Sequence, residues 1–324
     1  MKATKSLMLG SVSLAMAAFI TAAHAGNVAL QFAAEINGEP FVCGQQYSAI
    51  GTTSSTITPA DYRFFISSVS LISASGNAVP LSLEQDGMWQ YQNLALLDFE
   101  NGTGPCINGN SAINTSIKGS VPDGDYAGVQ FTLGVPFELN HLDVIVAPSP
   151  LNLSAMFWNW QGGHRFLKVD MATSGRPVPD QSQPRASMTM GMQNGGGNMR
   201  QGGSMMQQAS AMGMAGDEEE AAGFAVHLGS TGCAAASRTT APEAVCANPN
   251  LITVTFENFD LSTDVVVADI GRVLSKTNVD VNTEDTAPGC MSGLRDPECA
   301  QILQAFGFSI GAEAAISQQL FSKK

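Results

Sequence analysis

Basic residues are scarce in this 324-residue chain: 15 lysines and arginines stand against 28 aspartates and glutamates. A surface so poor in positive charge repels nucleic acid and anionic lipid, and attracts cations or a basic partner. Catalytic signatures are missing as well. The sequence holds no G-x-S-x-G elbow, P-loop, H-E-x-x-H, EF-hand loop or C-x-x-C-H haem attachment. Its carboxylate pairs Asp123/Asp125 and Asp296/Glu298 fall in turn-like stretches and read as solvated loop residues, so they give a glycosidase no footing. No apolar run approaches the roughly 20 residues of a spanning helix, which argues against stable membrane insertion. Histidine occurs four times and tryptophan three times, so each position bears on function.

What is present begins with a leader. Lys2 and Lys5, the apolar run Leu7 to Ile20 and Ala23-His24-Ala25 have the layout of a signal peptide over residues 1–25. Its removal leaves 13 basic against 28 acidic residues, a net charge near −15, and three histidines: His141, His164 and His227. The expected compartment is the periplasm, with secretion or outer-surface association as variants. Six cysteines follow, none in a C-x-x-C pair. An even count in an exported chain favours disulfides over metal thiolates. Six cysteines allow many connectivities; short separations suggest Cys233–Cys246 and Cys290–Cys299, leaving Cys43–Cys106.

The rest reads as one domain over 26–324. Val28, Leu30, Phe32, Ala34 and Ile36 alternate as a half-buried strand. Strand patterns recur at 62–72 (with a shift in apolar phase that suggests a bulge), 129–133, 164–169, 224–228, 252–256 and 265–270. Asp86-Gly87 reads as a hairpin turn. Residues 300–306, stopped by Gly307, are the best helix. The expected fold is all-β: a disulfide-stapled β-sandwich or Greek-key domain with long loops and one short C-terminal helix. From about 173 to 219 the chain turns to glycine, serine, glutamine and methionine, with too few branched or aromatic residues to offset ordering entropy. It reads as a flexible insertion.

Three constellations could carry chemistry. The insertion holds Met188, Met190, Met192, Met199, Met205, Met206, Met212 and Met214, thioethers with nothing to pack against. Soft ligands of this kind select Cu(I); the plain alternative is a linker with incidental methionines. His141, His164 and His227 could share a metal, although a lone histidine is more often structural. His227 falls on the face of its strand away from Phe224, Val226 and Leu228. Trp158 and Trp160 share one strand face in MFWNWQGGHRFLKVD (156–170); they could simply pack, stack on a sugar, or be redox-active.

The ordered set DYRFF (61–65), LLDFE (96–100), LGVPFELNH (133–141), PLN (150–152), MFWNWQGGHRFLKVD, HLGSTGC (227–233) and CMS (290–292) resembles the MbnP-like family, the metallo-mystery pair four-Cys motif proteins. The resemblance spans nearly the whole mature chain apart from the insertion. It implies an exported bacterial copper-binding protein paired with a dihaem MauG/cytochrome c peroxidase-like partner that oxidises a tryptophan to kynurenine. Carried over, that tryptophan is Trp158 or Trp160, and the copper ligands are His141 and His227. His164 stands where the family's G-Y-K-F pattern has tyrosine, so it is an added ligand or a neutral replacement. The implied role is copper homeostasis or transfer, as a metal-binding substrate of the partner and not as an enzyme. The reading from a different class is an extracellular carbohydrate-binding or adhesion module using the tryptophan pair.

Overall fold

The computed structural model describes residues 25–176 and 223–324. The expected leader, except Ala25, lies outside these residues, as does most of the insertion with its eight methionines.

Two sheets face each other. One has the order Phe321–Lys323, Val266–Asp269, Ala25–Ile36, Ser116–Pro122, Ser82–Leu83. The other runs Ile252–Phe256, Tyr126–Leu133, Ser55–Ser73, Leu167–Thr173, Phe224–Leu228, Gly289–Cys290. Alternation along each strand sends one set of side chains inward. Phe32 and Phe321 of the first sheet meet Phe64 and Phe131 of the second edge-on, with ring centroids 5.2–6.2 Å apart. The Tyr62 hydroxyl crosses the interface to donate to the Ala268 carbonyl, at 2.8 Å. The fold is the expected all-β sandwich, and the short helix Pro297–Ala305 is capped by the Asp296 side chain.

The organising strand is longer than its apolar pattern suggests. Ser55–Ser73 pairs with five others, and its register slips around Ser68, which has φ 53°. Two local readings are corrected. Asp86-Gly87 is not a hairpin turn: Ser82–Leu83 pairs with Ser116–Pro122, whereas Gln90–Tyr91 pairs with Leu94–Asp98. The Asp86 carboxylate accepts from the backbone N–H groups of Met88, Trp89 and Gln90 while the chain crosses between sheets. The strand expected over 265–270 stops at Asp269, whose side chain accepts from Gly271 N and caps the helix Ile270–Leu274.

Three disulfides join Cys43–Cys106, Cys233–Cys246 and Cys290–Cys299. Strand Leu167–Thr173 pairs directly with Phe224–Leu228, from Leu167↔Leu228 to Met171↔Phe224. Folded chain continues past the expected boundary at 173. Thr173 and Arg176 exchange backbone hydrogen bonds, and Gly175 N donates to Asp280.

Candidate metal and tryptophan site

The tryptophans sit on a small hairpin. Phe157 pairs with His164 and Asn159 with Gly163, and Gly162 N donates to Asn159 Oδ1 across the turn, at 2.8 Å. Gly163 has φ 76°, and a Cβ there would lie 2.6 Å from the Asn140 carbonyl oxygen. A side chain is excluded on both counts. The hairpin therefore lies flat against the short helix Phe137–Asn140 and the histidine that follows it.

His141 is fixed by that contact. Its Nδ1 lies 3.1 Å from the Trp160 carbonyl oxygen; a carbonyl can only accept, so Nδ1 carries the proton. The lone pair is then on Nε2, which faces the Asn140 side-chain amide at 3.2 Å and Cys246 Sγ at 3.7 Å. Burial depresses the His141 pKa, against a smaller upward pull from the Trp160 carbonyl. The ring is a neutral nitrogen donor at pH 7.

His164 is used differently. Its Nδ1 lies 2.7 Å from the Asn140 carbonyl oxygen and its Nε2 2.9 Å from that of Leu151. The ring is fully buried between the edges of Phe65 and Phe157. Burial lowers its pKa, so the neutral ring donates from one nitrogen while the lone pair of the other faces a backbone carbonyl and not an open position. It bridges the loop at Leu151 to the helix end, an arrangement that gives His164 a structural role in this conformation.

His227 belongs to a buried charged row. Asp98, Arg63, Lys168 and His227 are register partners across four adjacent strands, with Asp61 opposite Asp170 in the next row. His227 Nε2–H donates to Asp170 Oδ1, at 2.6 Å, and Nδ1 has no partner among the described residues. Burial pushes His227 down and outweighs the Asp170 carboxylate. Burial opposes ionisation of Asp170, but His227 and Lys168 outweigh it and hold the carboxyl below its ordinary range. Lys168 also donates to Asp61, as does Arg63, through Nε to Oδ1 at 2.8 Å. Asp98 is pushed up to about 8, by burial first and then by Glu100 and Asp61, with Arg63 opposing.

Trp158 lies beside this row. A Cβ on Gly229 would come within 2.4 Å of its ring, and Arg165 is 5.8 Å from the ring centroid. Both tryptophans are half-buried. The tryptophan hairpin thus spans two environments, with the Trp160 carbonyl on His141 and the Trp158 ring against Gly229, just past the strand that carries His227. The three histidines do not gather into one set. Among the described residues, one triple of His, Cys, Asp or Glu donor atoms lies within 4.8 Å of one another: His141, Cys233 and Cys246.

A model of the MbnP family matches residues 25–292. The chain belongs to the MbnP family. Among solved structures, it is similar to MbnP from Methylosinus trichosporium, with 27% identity, a TM-score of 0.70, and coverage of 93% of this chain and 98% of that one. No curated protein matches. The MbnP match covers Trp158 and Trp160, His141, His164 and His227, and the four strands of the charged row, but says nothing by itself of copper.

The donor chemistry fits copper in part. His141 has the arrangement of a metal-ligating imidazole, one nitrogen anchored to a carbonyl and the other bare of hydrogen. His227 has the related carboxylate–histidine arrangement through Asp170. Sequence reasoning missed Asn140 and the ionic partners Asp61, Arg63, Asp98 and Asp170. Charged residues at alternate positions of otherwise apolar strands were the available signal.

Proposed function

We propose that this protein binds copper, as Cu(I), in the periplasm or at the outer surface, and serves copper homeostasis or transfer. The carrying observation is His141: neutral, oriented by the Trp160 carbonyl, with an Nε2 lone pair that a metal would take over from the Asn140 side-chain amide. His227 is a second donor, presented by Asp170. Imidazole nitrogens suit copper, and bound copper would supply one-electron chemistry.

The tryptophan pair completes the reading. Indole N–H is a donor and cannot ligate, whereas kynurenine carries an aryl amine and a ketone. A dihaem MauG/cytochrome c peroxidase-like partner, using peroxide as oxidant, would cleave the C2–C3 bond of Trp158 or Trp160. Two equivalents of peroxide deliver the two oxygen atoms and leave as two waters, giving N-formylkynurenine; one further water then releases the C2 carbon as formate. The protein is then a substrate of that partner and not itself an enzyme. A sugar platform at Trp158 is disfavoured, because its ring is already engaged by Gly162, Gly229 and Arg165.

Copper titration of wild type against His141→Ala, with peptide mapping of native protein, tests both parts. Unchanged affinity and stoichiometry in the variant overturn the ligand assignment. Intact indoles in every copper-loaded preparation overturn the kynurenine step.

A further inference from the structure

We propose that Cys233, Cys246 and His141 form a redox-gated thiolate–imidazole site for Cu(I), closed as a disulfide and opened by a dithiol reductant. The three donor atoms are already within 4.8 Å of one another. Among the described residues, neither of the other disulfides has a histidine or carboxylate donor so placed.

Opening this bond need not scatter its sulfurs. Cys233 and Cys246 bound a 13-residue separation, and their Cα atoms are 4.1 Å apart. The neck of that loop is closed independently: Thr231 N donates to Asn248 O at 2.9 Å, Asn248 N to Thr231 O at 3.0 Å, and Ala247 N to Gly232 O at 3.1 Å. Gln161 Nε2 donates to the Cys233 carbonyl at 2.9 Å, tying the loop to the tryptophan hairpin. The backbone therefore holds the two thiols together once the covalent bond is gone. His141 is held from the other side by the Trp160 carbonyl, so its unprotonated nitrogen faces the sulfurs.

The chemistry balances. Two electrons and two protons from a dithiol break the S–S bond and give two thiols, while the dithiol becomes a disulfide. Cu(I) then displaces the thiol protons and takes two thiolates and one imidazole, a soft donor set suited to that ion. This site shares His141 with the copper reading above but requires no modified tryptophan.

The test compares oxidised and phosphine-reduced full-length protein, wild type and Cys233→Ser/Cys246→Ser, in Cu(I) titrations against a chromophoric competitor. Thiol alkylation with mass mapping identifies which bonds open. Reduced wild type should hold its copper at least tenfold more tightly than the oxidised form, with sulfur scattering at the copper X-ray edge; the serine variant should show neither change. Because the other disulfides are common to both proteins, the difference isolates this pair. If the serine variant does not fold, His141→Ala keeps both cysteines and, once reduced, should still bind copper with sulfur scattering, at least tenfold more weakly than reduced wild type. The proposal is overturned if reduction leaves the copper affinity of wild type unchanged, if the serine variant tightens on reduction as wild type does, if no sulfur scattering accompanies the change, or if His141→Ala leaves the affinity of the reduced protein unchanged. Failure of the oxidised protein to bind copper would instead overturn the preceding reading alone.

Discussion

His141 Nδ1 lies 3.1 Å from the carbonyl oxygen of Trp160, so one hydrogen bond joins the best nitrogen donor to the backbone of the tryptophan hairpin. A change at either end is felt at the other. His141→Ala should weaken copper binding by more than the roughly 10–100-fold that loss of an outer-shell partner costs, while His164→Gln should leave it near wild type. Competitive titration with both variants checks this.

Gly229 receives the Trp158 ring, with ring carbon 2.4 Å from where a Cβ would stand. Gly229→Ala should cost about 1–3 kcal/mol through overpacking and displace the indole. Urea denaturation and the tryptophan emission spectrum report the two effects separately.

The buried ionic row should respond sharply to loss of one partner. Arg63 is 1% exposed beside Asp61, Asp98 and Glu100. Arg63→Ala leaves uncompensated buried carboxylates and should destabilise by about 3–5 kcal/mol, measured by chemical denaturation at pH 7.

Asp98 gives the pH dependence a sign. Its folded pKa of about 8 lies above its ordinary 3.8, so between these values the folded state binds the extra proton. Its contribution is complete below about pH 4 and is lost as pH rises towards 8, with a slope of at most ~1.4 kcal/mol per pH unit. Glu100, also raised by burial, acts in the same direction. His141 and His227, both lowered, oppose it by favouring the fold above their unfolded values near 6.5. Asp98→Asn should flatten the decline in stability between pH 4 and 8, as followed by denaturation midpoints across that range.

Deleting residues 186–215 should lower copper capacity while leaving the near-native far-ultraviolet dichroism, because the flanking strands pair with each other directly. Equal capacity before and after the deletion would remove the methionines from the copper reading.

Much of the sandwich was legible because alternation at Val28–Ile36, Phe224–Leu228 and Ile252–Phe256 maps one residue to each face. Ser55–Ser73 was harder: Pro59 and the slip at Ser68 break the alternation that would have revealed its length. The tryptophan hairpin could be located from residue types. The roles of the histidines could not, since composition does not tell which ring nitrogen meets a carbonyl. His164 and His141 are both histidines near Asn140, yet one has both nitrogens on backbone carbonyls and the other turns one to the Asn140 side-chain amide. The register that lines up Asp98, Arg63, Lys168 and His227 joins residues far apart in the chain, and no local pattern encodes it.

The pairing of Met171 with Phe224 brings the two borders of the insertion side by side on neighbouring strands. Any passenger whose own termini meet could be spliced there without stretching the sandwich. A fluorescent reporter seated at that junction would ride on the same sheet that carries His227.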